Sequence, residues 1–149
     1  MSRAATPLPF ATTLRVRDSC LCLHLQRAAR VLARRFDDAL RPLQLTNGQF
    51  SLLMSLHRPH PPGMAPVAAL LGMDRTTLTA ALKPLARRGL LKITPDPSHR
   101  RSRLLHLTAQ GRNLLARAVP LWERTSRDVE TLLGNSNPDR LRKNLRTLS

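Results

Sequence analysis

The sequence predicts a mainly α-helical protein with one small β-hairpin. Aromatic residues make up 3% of the chain and tyrosine is absent, so leucine, alanine, valine and methionine must form the core, which suits closely packed helices. Apolar residues recur every three or four positions over long segments, as they do in amphipathic helices. Residues 90–107 differ, because two short apolar segments flank a basic stretch with two prolines, a pattern typical of a hairpin.

The first part of the chain is predicted to hold an arm and two helices. Residues 1–15 have the composition of a mobile basic arm. Residues 18–39 carry apolar side chains at helical spacing, which predicts one long amphipathic helix. Thr46 is expected to cap a second helix, and the prolines within residues 59–62 must end it.

Two short helices joined by a tight turn are predicted next. Residues 65–71 read as a short helix, and Gly72 can adopt the left-handed conformation that turns the chain sharply. Asp74 is expected to cap a fourth helix, which ends at Gly89. One face of this helix is apolar, whereas the opposite face carries short polar and basic side chains: Arg75, Thr76, Thr79, Ala80 and Lys83.

A basic hairpin and two further helices complete the predicted order. The hairpin has a long tip, residues 95–102. Thr108 is expected to cap a helix that Pro120 kinks or locally distorts. Asn137, with Pro138 at the first helical position, begins the last helix.

This order of elements is that of a winged helix-turn-helix domain with a helical dimerisation region. The winged lobe is predicted to span residues 46–108. The flanking residues 16–45 and 109–149 carry apolar stripes too extensive for that lobe to cover alone, which predicts a homodimer. We expect helix 74–88 to enter the major groove of duplex DNA, and the cations of wing 95–102 to contact the phosphate backbone.

The charge of the chain supports a nucleic-acid partner. There are 25 Lys and Arg residues against 9 Asp and Glu, a formal net charge of +16 at pH 7. From Arg75 to Arg117 there are ten Lys or Arg residues and one acid, Asp96. Taken singly, each of these cations could also be an ordinary solvated side chain. The predicted DNA-binding residues are Arg75, Thr76, Thr77, Thr79, Ala80, Lys83, Ser98, His99, Arg100, Arg101 and Arg103.

Three motifs in and after the lobe resemble the MarR family of transcription regulators. They are Arg87-Arg88-Gly89-Leu90, the wing from Asp96 to Arg101, and Leu107-Thr108-Ala109-Gln110-Gly111 at the start of the next helix. The resemblance covers about residues 20–132. It implies a dimeric repressor or activator that binds a pseudo-palindromic DNA operator, with the first and the last two helices forming the dimer interface.

The resemblance also assigns roles to the helix and the wing. The fourth helix would enter the major groove, and Arg100 or Arg101 would reach a neighbouring minor groove. His99 departs from the family pattern, which often has an aspartate that orients the wing arginines. The tip is therefore more positive than is usual in the family.

Members of the family commonly respond to small phenolic or lipophilic effectors bound between the dimerisation helices and the lobe. The residues that such a site would involve here include His24, Phe50, Met54 and Trp122. Simple core packing is the alternative for Phe50 and Met54, because both lie on an apolar helical stripe.

Cys22 is a candidate redox sensor by the same resemblance. It stands where the organic-hydroperoxide-sensing branch of the family has its reactive cysteine, but Gln26 and Phe36 occupy the positions of that branch's tyrosines. A buried, inert thiol is the alternative. Cys20 and Cys22 are two residues apart and would point about 200° from each other on a helix, which argues against a shared metal ion or an intrachain disulfide.

Other functional classes have less support. The sequence has no nucleophile–base pair, paired-carboxylate motif, metal-ligand set or phosphate-binding glycine loop, so neither an enzyme nor a cofactor is expected. No apolar stretch is long enough to cross a bilayer and the first residues lack a secretory signal, so we expect a cytoplasmic protein without a membrane partner. A non-specific nucleic-acid packaging protein and a protein-binding winged helix remain as alternatives.

Overall fold

The computed structural model describes residues 7–149 and confirms a mainly helical chain with one antiparallel hairpin. A single 3₁₀ turn, Arg41–Leu43, follows the second helix. No helix within residues 7–149 is both long and apolar enough to cross a membrane. The elements are α1 (Phe10–Ser19), α2 (Leu21–Leu40), α3 (Asn47–Leu56), α4 (Met64–Leu71), α5 (Arg75–Arg87), β1 (Leu91–Asp96), β2 (His99–Leu107), α6 (Ala109–Thr131) and α7 (Pro138–Arg146).

The N-terminal region differs from the prediction in two ways. Residues 10–15, expected to lie in the arm, belong to α1, and the long helix expected from Asp18 begins only at Leu21. The two helices are separated at Cys20, whose backbone is extended at φ −75° and ψ 105°. Just before this break the Ser19 hydroxyl donates to the Arg15 carbonyl oxygen at 2.5 Å, a bond that competes with regular helix geometry. The first residues of the arm, with Arg3, lie outside the described part of the chain.

The junction of α2 and α3 is fixed by local hydrogen bonds. Thr46 caps α3 as predicted: its hydroxyl accepts from the Gln49 amide, and the Gln49 side chain accepts from the Thr46 amide, each at 3.1 Å. The Asp37 carboxylate accepts from the Asn47 amide at 2.6 Å, which ties the end of α2 to the start of α3. Gln44, between them, has a left-handed backbone with φ 54°.

One leucine-rich core joins the lobe to the helices on either side of it. α3, α4, α5 and the hairpin supply most of its buried side chains, while α2 adds Leu40 and α6 adds Leu115 and Ala118. Burial of this apolar surface is the main favourable term that holds the helices in place. Leu45, in the turn before α3, also belongs to the core, and the core side chains from the lobe are Phe50, Leu52, Leu53, Leu56, Val67, Leu78, Leu82, Leu85, Leu90, Leu91 and Leu105.

The hairpin tip is shorter than the sequence suggested. β1 continues to Asp96 and β2 begins at His99, so only two residues remain for the turn. The register shifts between Pro95, which pairs with Arg103, and Asp96, which pairs with His99. Residues 100–102 therefore bulge out of the ladder opposite this shift. A proline has no amide hydrogen to donate, so a bulge at this point costs fewer ladder bonds than it would elsewhere.

The start of α6 is fastened tightly to the base of the hairpin. Thr108 caps the helix as predicted: its hydroxyl accepts from the Gly111 amide at 3.0 Å and donates to the Gly89 carbonyl oxygen at 2.7 Å. Gly111 packs directly on the Leu90 backbone, where a Cβ would overlap the Leu90 carbonyl oxygen. α6 then runs as one helix to Thr131 with Pro120 inside it.

The terminal helices leave apolar side chains on the surface. α7 begins at Asn137, which caps it by accepting from the Arg140 amide at 3.0 Å, with Pro138 at the first helical position as predicted. Arg142 bridges α7 to Glu130 of α6 at 2.6 Å. The exposed large apolar residues of α1, α2, α7 and the end of α6 are Phe10, Val16, Leu21, Leu23, Leu25, Val31, Leu132, Leu141 and Leu145.

Candidate nucleic-acid interface

The N-terminus of α5 is set by a turn and a cap. Gly72 has φ 62°, the left-handed conformation expected for it, and turns the chain out of α4. The Asp74 carboxylate then accepts from the Thr77 amide at 2.7 Å and from the Thr77 hydroxyl at 3.0 Å. These hydrogen bonds, the one from the Thr77 amide above all, hold the pKa of Asp74 below its ordinary value. The Thr77 hydroxyl is thus engaged in the cap.

The outer face of α5 presents the side chains that the sequence placed there. Leu78, Leu82 and Leu85 are buried beneath it and anchor the helix in the core. The Thr79 hydroxyl donates to the Arg75 carbonyl oxygen at 2.8 Å, and its oxygen stays free to accept a further hydrogen bond. The other residues around the same shallow depression are Arg75, Thr76, Ala80 and Lys83.

The wing carries its cations on the bulged strand. Arg100 and Arg101 are exposed within the bulge, and Arg103 is exposed where regular pairing resumes. Bulges re-aim side chains away from the regular alternation of a strand. The two arginines that the sequence singled out are thereby held at the tip of the wing.

Asp96 organises the tip in a way that the sequence did not single out. Its Oδ1 accepts from the Ser98 amide at 2.8 Å, an Asx turn, and its Oδ2 lies 3.8 Å from His99 Nδ1. The signal was present, since an aspartate two residues before a serine favours this turn. His99, where the family often has an aspartate, faces an acid of its own hairpin.

The wing is also fastened to the loop that precedes α4. The Leu105 amide donates to the Pro62 carbonyl oxygen at 2.9 Å, and Gly63 forms a bridge with Leu104. Within the hairpin, Thr94 Oγ1 and His106 Nε2 are 2.7 Å apart and join the two strands. No local sequence pattern predicts the contact with Pro62, because it depends on how the loop meets the sheet edge.

Helix and wing meet at one cavity. A cleft of about 510 Å³ between α4 and the hairpin is lined by Arg75 of α5 and by Asp96, Ser102 and Arg103 of the wing. Arg75 also borders the depression on α5, so the polar face of the helix and the wing form one continuous surface. The structure thus brings together the predicted residues of helix and wing, with Arg100 and Arg101 further out at the tip.

A second, apolar pocket lies between α3, α4 and α6. Phe50, Met54 and Trp122, three of the four candidate effector residues, line this pocket of about 420 Å³ together with Leu70 and Val119. The rings of Phe50 and Trp122 are stacked, with centroids 6.2 Å apart and planes 22° apart. His24, the fourth candidate, is not among its lining residues.

The prediction that the two cysteines share a helix is wrong. Cys22 is exposed in α2 and its sulfur accepts from Gln26 Nε2 at 3.2 Å, whereas Cys20 lies in the extended break before α2. The helical-wheel argument against an intrachain disulfide therefore does not apply, since it assumed that both residues are helical. Across residues 7–149 no three His, Cys, Asp or Glu side chains are grouped as a metal site.

Comparison with known proteins identifies the family. The MarR family model matches residues 45–102, from the end of the turn after α2 into the wing. The transcriptional regulator MosR of M. tuberculosis, solved in complex with DNA, is 38% identical; the match covers 87% of this chain and 93% of MosR, with a TM-score of 0.79. This chain belongs to the MarR family. It therefore belongs to a family of transcriptional regulators, and its winged-helix fold is that of its relatives.

Two further relatives, CouR and NicR, match this chain over different fractions of its length. CouR, a transcriptional repressor solved on a 23-mer DNA duplex, is 35% identical over 96% of this chain and 99% of CouR, with a TM-score of 0.79. A structure of CouR bound to p-coumaroyl-CoA is 34% identical over 89% of this chain and 94% of that one, with a TM-score of 0.78. The repressor NicR of Pseudomonas putida is 31% identical over 63% of this chain, a match that spans only 58% of NicR.

Proposed function

We propose that this MarR-family chain is a homodimeric transcriptional repressor that binds a pseudo-palindromic operator in duplex DNA. The observation that carries the proposal is the continuous surface formed by the face of α5 and the wing, joined at Arg75. A major groove admits one helix, and a wing beside it reaches the adjacent backbone or minor groove. The DNA complexes of MosR and CouR support the same mode of binding here.

Each side chain of the surface suits one part of a duplex. Thr76, Thr79 and Ala80 are short and exposed, so they allow the helix to approach base edges closely. Arg75 and Lys83 flank them and are suited to a guanine edge or to phosphates. We assign Thr77 to the cap of the helix. On the wing, Ser98, His99, Arg100, Arg101 and Arg103 are suited to the backbone or the minor groove.

Dimerisation is supported by the uncovered apolar faces of the terminal helices. Phe10 and Leu21 are each at least 70% exposed, and Leu132 is 62% exposed, on elements that lie outside the lobe. Exposed apolar side chains grouped on several helices favour an interface with a second copy. A two-fold dimer would place two α5 helices one turn of DNA apart, about 34–36 Å.

The test compares specific with random DNA. At fixed salt, affinity for a palindromic fragment of a target promoter should exceed affinity for random DNA of equal length by at least about 10³. Replacing Thr79→Ala and Lys83→Ala together should lower that ratio because the base-reading face is altered. A ratio near one would instead favour a non-specific packaging protein. An unchanged ratio and affinity in this variant, and in Arg100→Ala with Arg101→Ala, would favour a protein-binding role.

A small-molecule effector is the next part of the proposal. The apolar pocket beside Phe50, Met54 and Trp122 lies between α6 and the lobe, where an occupant would contact both. CouR binds p-coumaroyl-CoA, which supports an effector for this chain as well. A Met54→Trp substitution, which fills the pocket, should abolish the release of DNA by an aromatic effector while leaving the affinity for DNA unchanged.

Oxidation of Cys22 is a second way in which DNA affinity could be modulated. The exposed sulfur and its hydrogen bond from Gln26 favour a reagent-accessible thiol, although the tyrosines of the hydroperoxide-sensing branch are missing. We expect an organic hydroperoxide to weaken DNA binding by the wild type but not by Cys22→Ser. Equal DNA affinity before and after peroxide treatment in both proteins would refute this part of the proposal.

A further inference from the structure

A polar pocket of about 650 Å³ lies where three elements meet. It is bounded by the turn after α2, by the C-terminal end of α5 and by the first turns of α6. It opens on a different side of α6 from the apolar pocket, since Arg117 and Trp122 are about 140° apart around the helix. Its polar lining residues are Gln44, Arg88, Gln110, Asn113 and Arg117.

The lining is rich in hydrogen-bond donors and carries two positive charges. Two guanidinium groups and three amide side chains surround the pocket, and no carboxylate lines it. None of the ion pairs found within residues 7–149 includes Arg88 or Arg117. The charge of both arginines is therefore available to an anion.

Part of this lining is held in place before any ligand arrives. The Nη1 of Arg88 donates to the Gln44 carbonyl oxygen at 2.7 Å, which fixes the guanidinium at the edge of the pocket. Gln44 is the one non-glycine residue with positive φ in the described chain. Such a conformation costs energy and persists where its surroundings hold it, which is common at binding sites. Gly89 has φ 71° and lies close to Gln110: a Cβ added at Gly89 would be only 3.1 Å from Gln110 Oε1.

We propose that this pocket binds a phosphate-bearing small molecule as an allosteric ligand. Guanidinium groups match phosphate oxygens in geometry and charge, and amide N–H groups supply the remaining hydrogen bonds. Arg88, at the end of α5, and Arg117, on α6, bind the anion, and Gln110 and Asn113 complete its hydrogen bonds. The site lies apart from the outer face of α5, so the ligand and DNA can be bound at the same time.

The position of the pocket explains how such a ligand acts on DNA binding. Both connections between the lobe and the dimerisation region border it: the turn after α2 and the start of α6. Arg88 directly follows α5, the helix that we propose for the major groove. An anion held between these elements biases the angle of the lobe, and by linkage DNA changes the affinity for the anion by the same factor. This regulatory step rests on the proposed DNA-binding function, whereas binding of the anion itself does not.

The experiment is a calorimetric titration of the whole chain with inorganic pyrophosphate at constant ionic strength. Wild-type protein should bind one pyrophosphate per chain, with saturation in the millimolar range or below. Arg117→Gln should weaken binding by at least about tenfold, because one charge-assisted contact is lost. Arg117 is exposed on a helix, so its loss leaves the core intact. The matched control is Arg127→Gln, which removes the same charge from an exposed position of the same helix and should bind like the wild type.

Three results would overturn the proposal. Absence of saturation means that the pocket does not bind phosphate, and equal weakening in Arg117→Gln and Arg127→Gln means that only the overall positive charge attracts the anion. The third result is that the slope of log K for DNA against log salt falls by about one in Arg117→Gln but not in Arg127→Gln. Such a change would mean that Arg117 contacts the DNA backbone. Promoter affinity is measured on the same samples, so failure of pyrophosphate binding with specific DNA binding intact refutes this inference and leaves the proposed function standing.

Discussion

At the scale of single residues, the position of α5 depends on polar atoms with few alternatives. Asp74 binds both the amide and the hydroxyl of Thr77, so it caps the helix and fixes its first turn. At the other end of the lobe, Gly111 allows α6 to lie directly on the Leu90 backbone. Both residues act on DNA binding only through the position of the helix that would contact it.

The lowered pKa of Asp74 predicts a pH dependence of stability. A carboxyl whose pKa is lower in the folded state than its ordinary 3.8 stabilises the fold above that value. This stabilisation is lost as the pH falls through the folded-state pKa. Thermal melting of Asp74→Asn, in which the amide oxygen keeps the cap, should therefore depend less on pH below about 4 than melting of the wild type. Parallel curves for the two proteins over this range would contradict the assignment.

Gly111→Ala should destabilise the protein strongly. The added methyl group overlaps a backbone carbonyl oxygen that cannot rotate away, so we expect a loss of about 1–3 kcal/mol in the free energy of unfolding. Gly48→Ala is the matched control, since the added Cβ would lie 4.0 Å from Thr46 Oγ1, an ordinary van der Waals distance. This substitution should raise the free energy of unfolding by roughly 0.5–1 kcal/mol. Urea unfolding measures both, and equal stability of the two variants would count against the close contact.

At the scale of elements, the sequence predicted the features that depend on neighbouring residues and missed those that depend on residues far apart in the chain. The caps at Thr46, Asp74, Thr108 and Asn137 were all predictable, because each depends on residues within one turn. The ends of the hairpin strands were not predictable in this way, because pairing between the strands extends both of them until only a two-residue turn remains. Likewise, contacts far apart in sequence, such as the bond from Arg88 to Gln44, have no local signal.

The bulged wing leads to a prediction at this scale. If Arg100 and Arg101 both contact phosphates, replacing both by alanine should weaken binding to all DNA sequences alike. The slope of log K against log salt should fall by about two units. The control is Arg140→Ala with Lys143→Ala on α7, which removes equal charge far from the lobe in sequence and should leave the slope unchanged. Loss of affinity at one sequence only would show that the wing arginines read bases instead.

At the scale of the whole molecule, the account requires two lobes held at a fixed separation. The core of the lobe extends into α2 and α6, so the lobe is joined firmly to the helices that we propose for the dimer interface. Apolar side chains of α1, α2 and α7 remain exposed, and in the proposed dimer they would contact the second copy. The sequence predicts the proposed interface through the extent of its apolar stripes, but it did not reveal the break at Cys20.

Replacing Leu141 and Leu145 of α7 by glutamate should convert the dimer to a monomer. Both are partly exposed, at 41% and 38%, so the substitutions are tolerated in a single chain but place charges in the proposed interface. Sedimentation at micromolar concentration should give the monomer mass for this variant and the dimer mass for Leu70→Glu, a control on α4 that is 63% exposed. A wild type that sediments as a monomer would contradict the proposal.

Selection of bound sequences from a random DNA pool by the full-length protein tests the central claim most directly. The account predicts enrichment of an inverted repeat whose half-sites are one helical turn apart, about 34–36 Å between centres. It also predicts that Thr79→Ala with Lys83→Ala changes the bases preferred within each half-site and leaves the spacing unaltered. A pool that binds well yet yields no common sequence would contradict the claim that α5 reads the major groove.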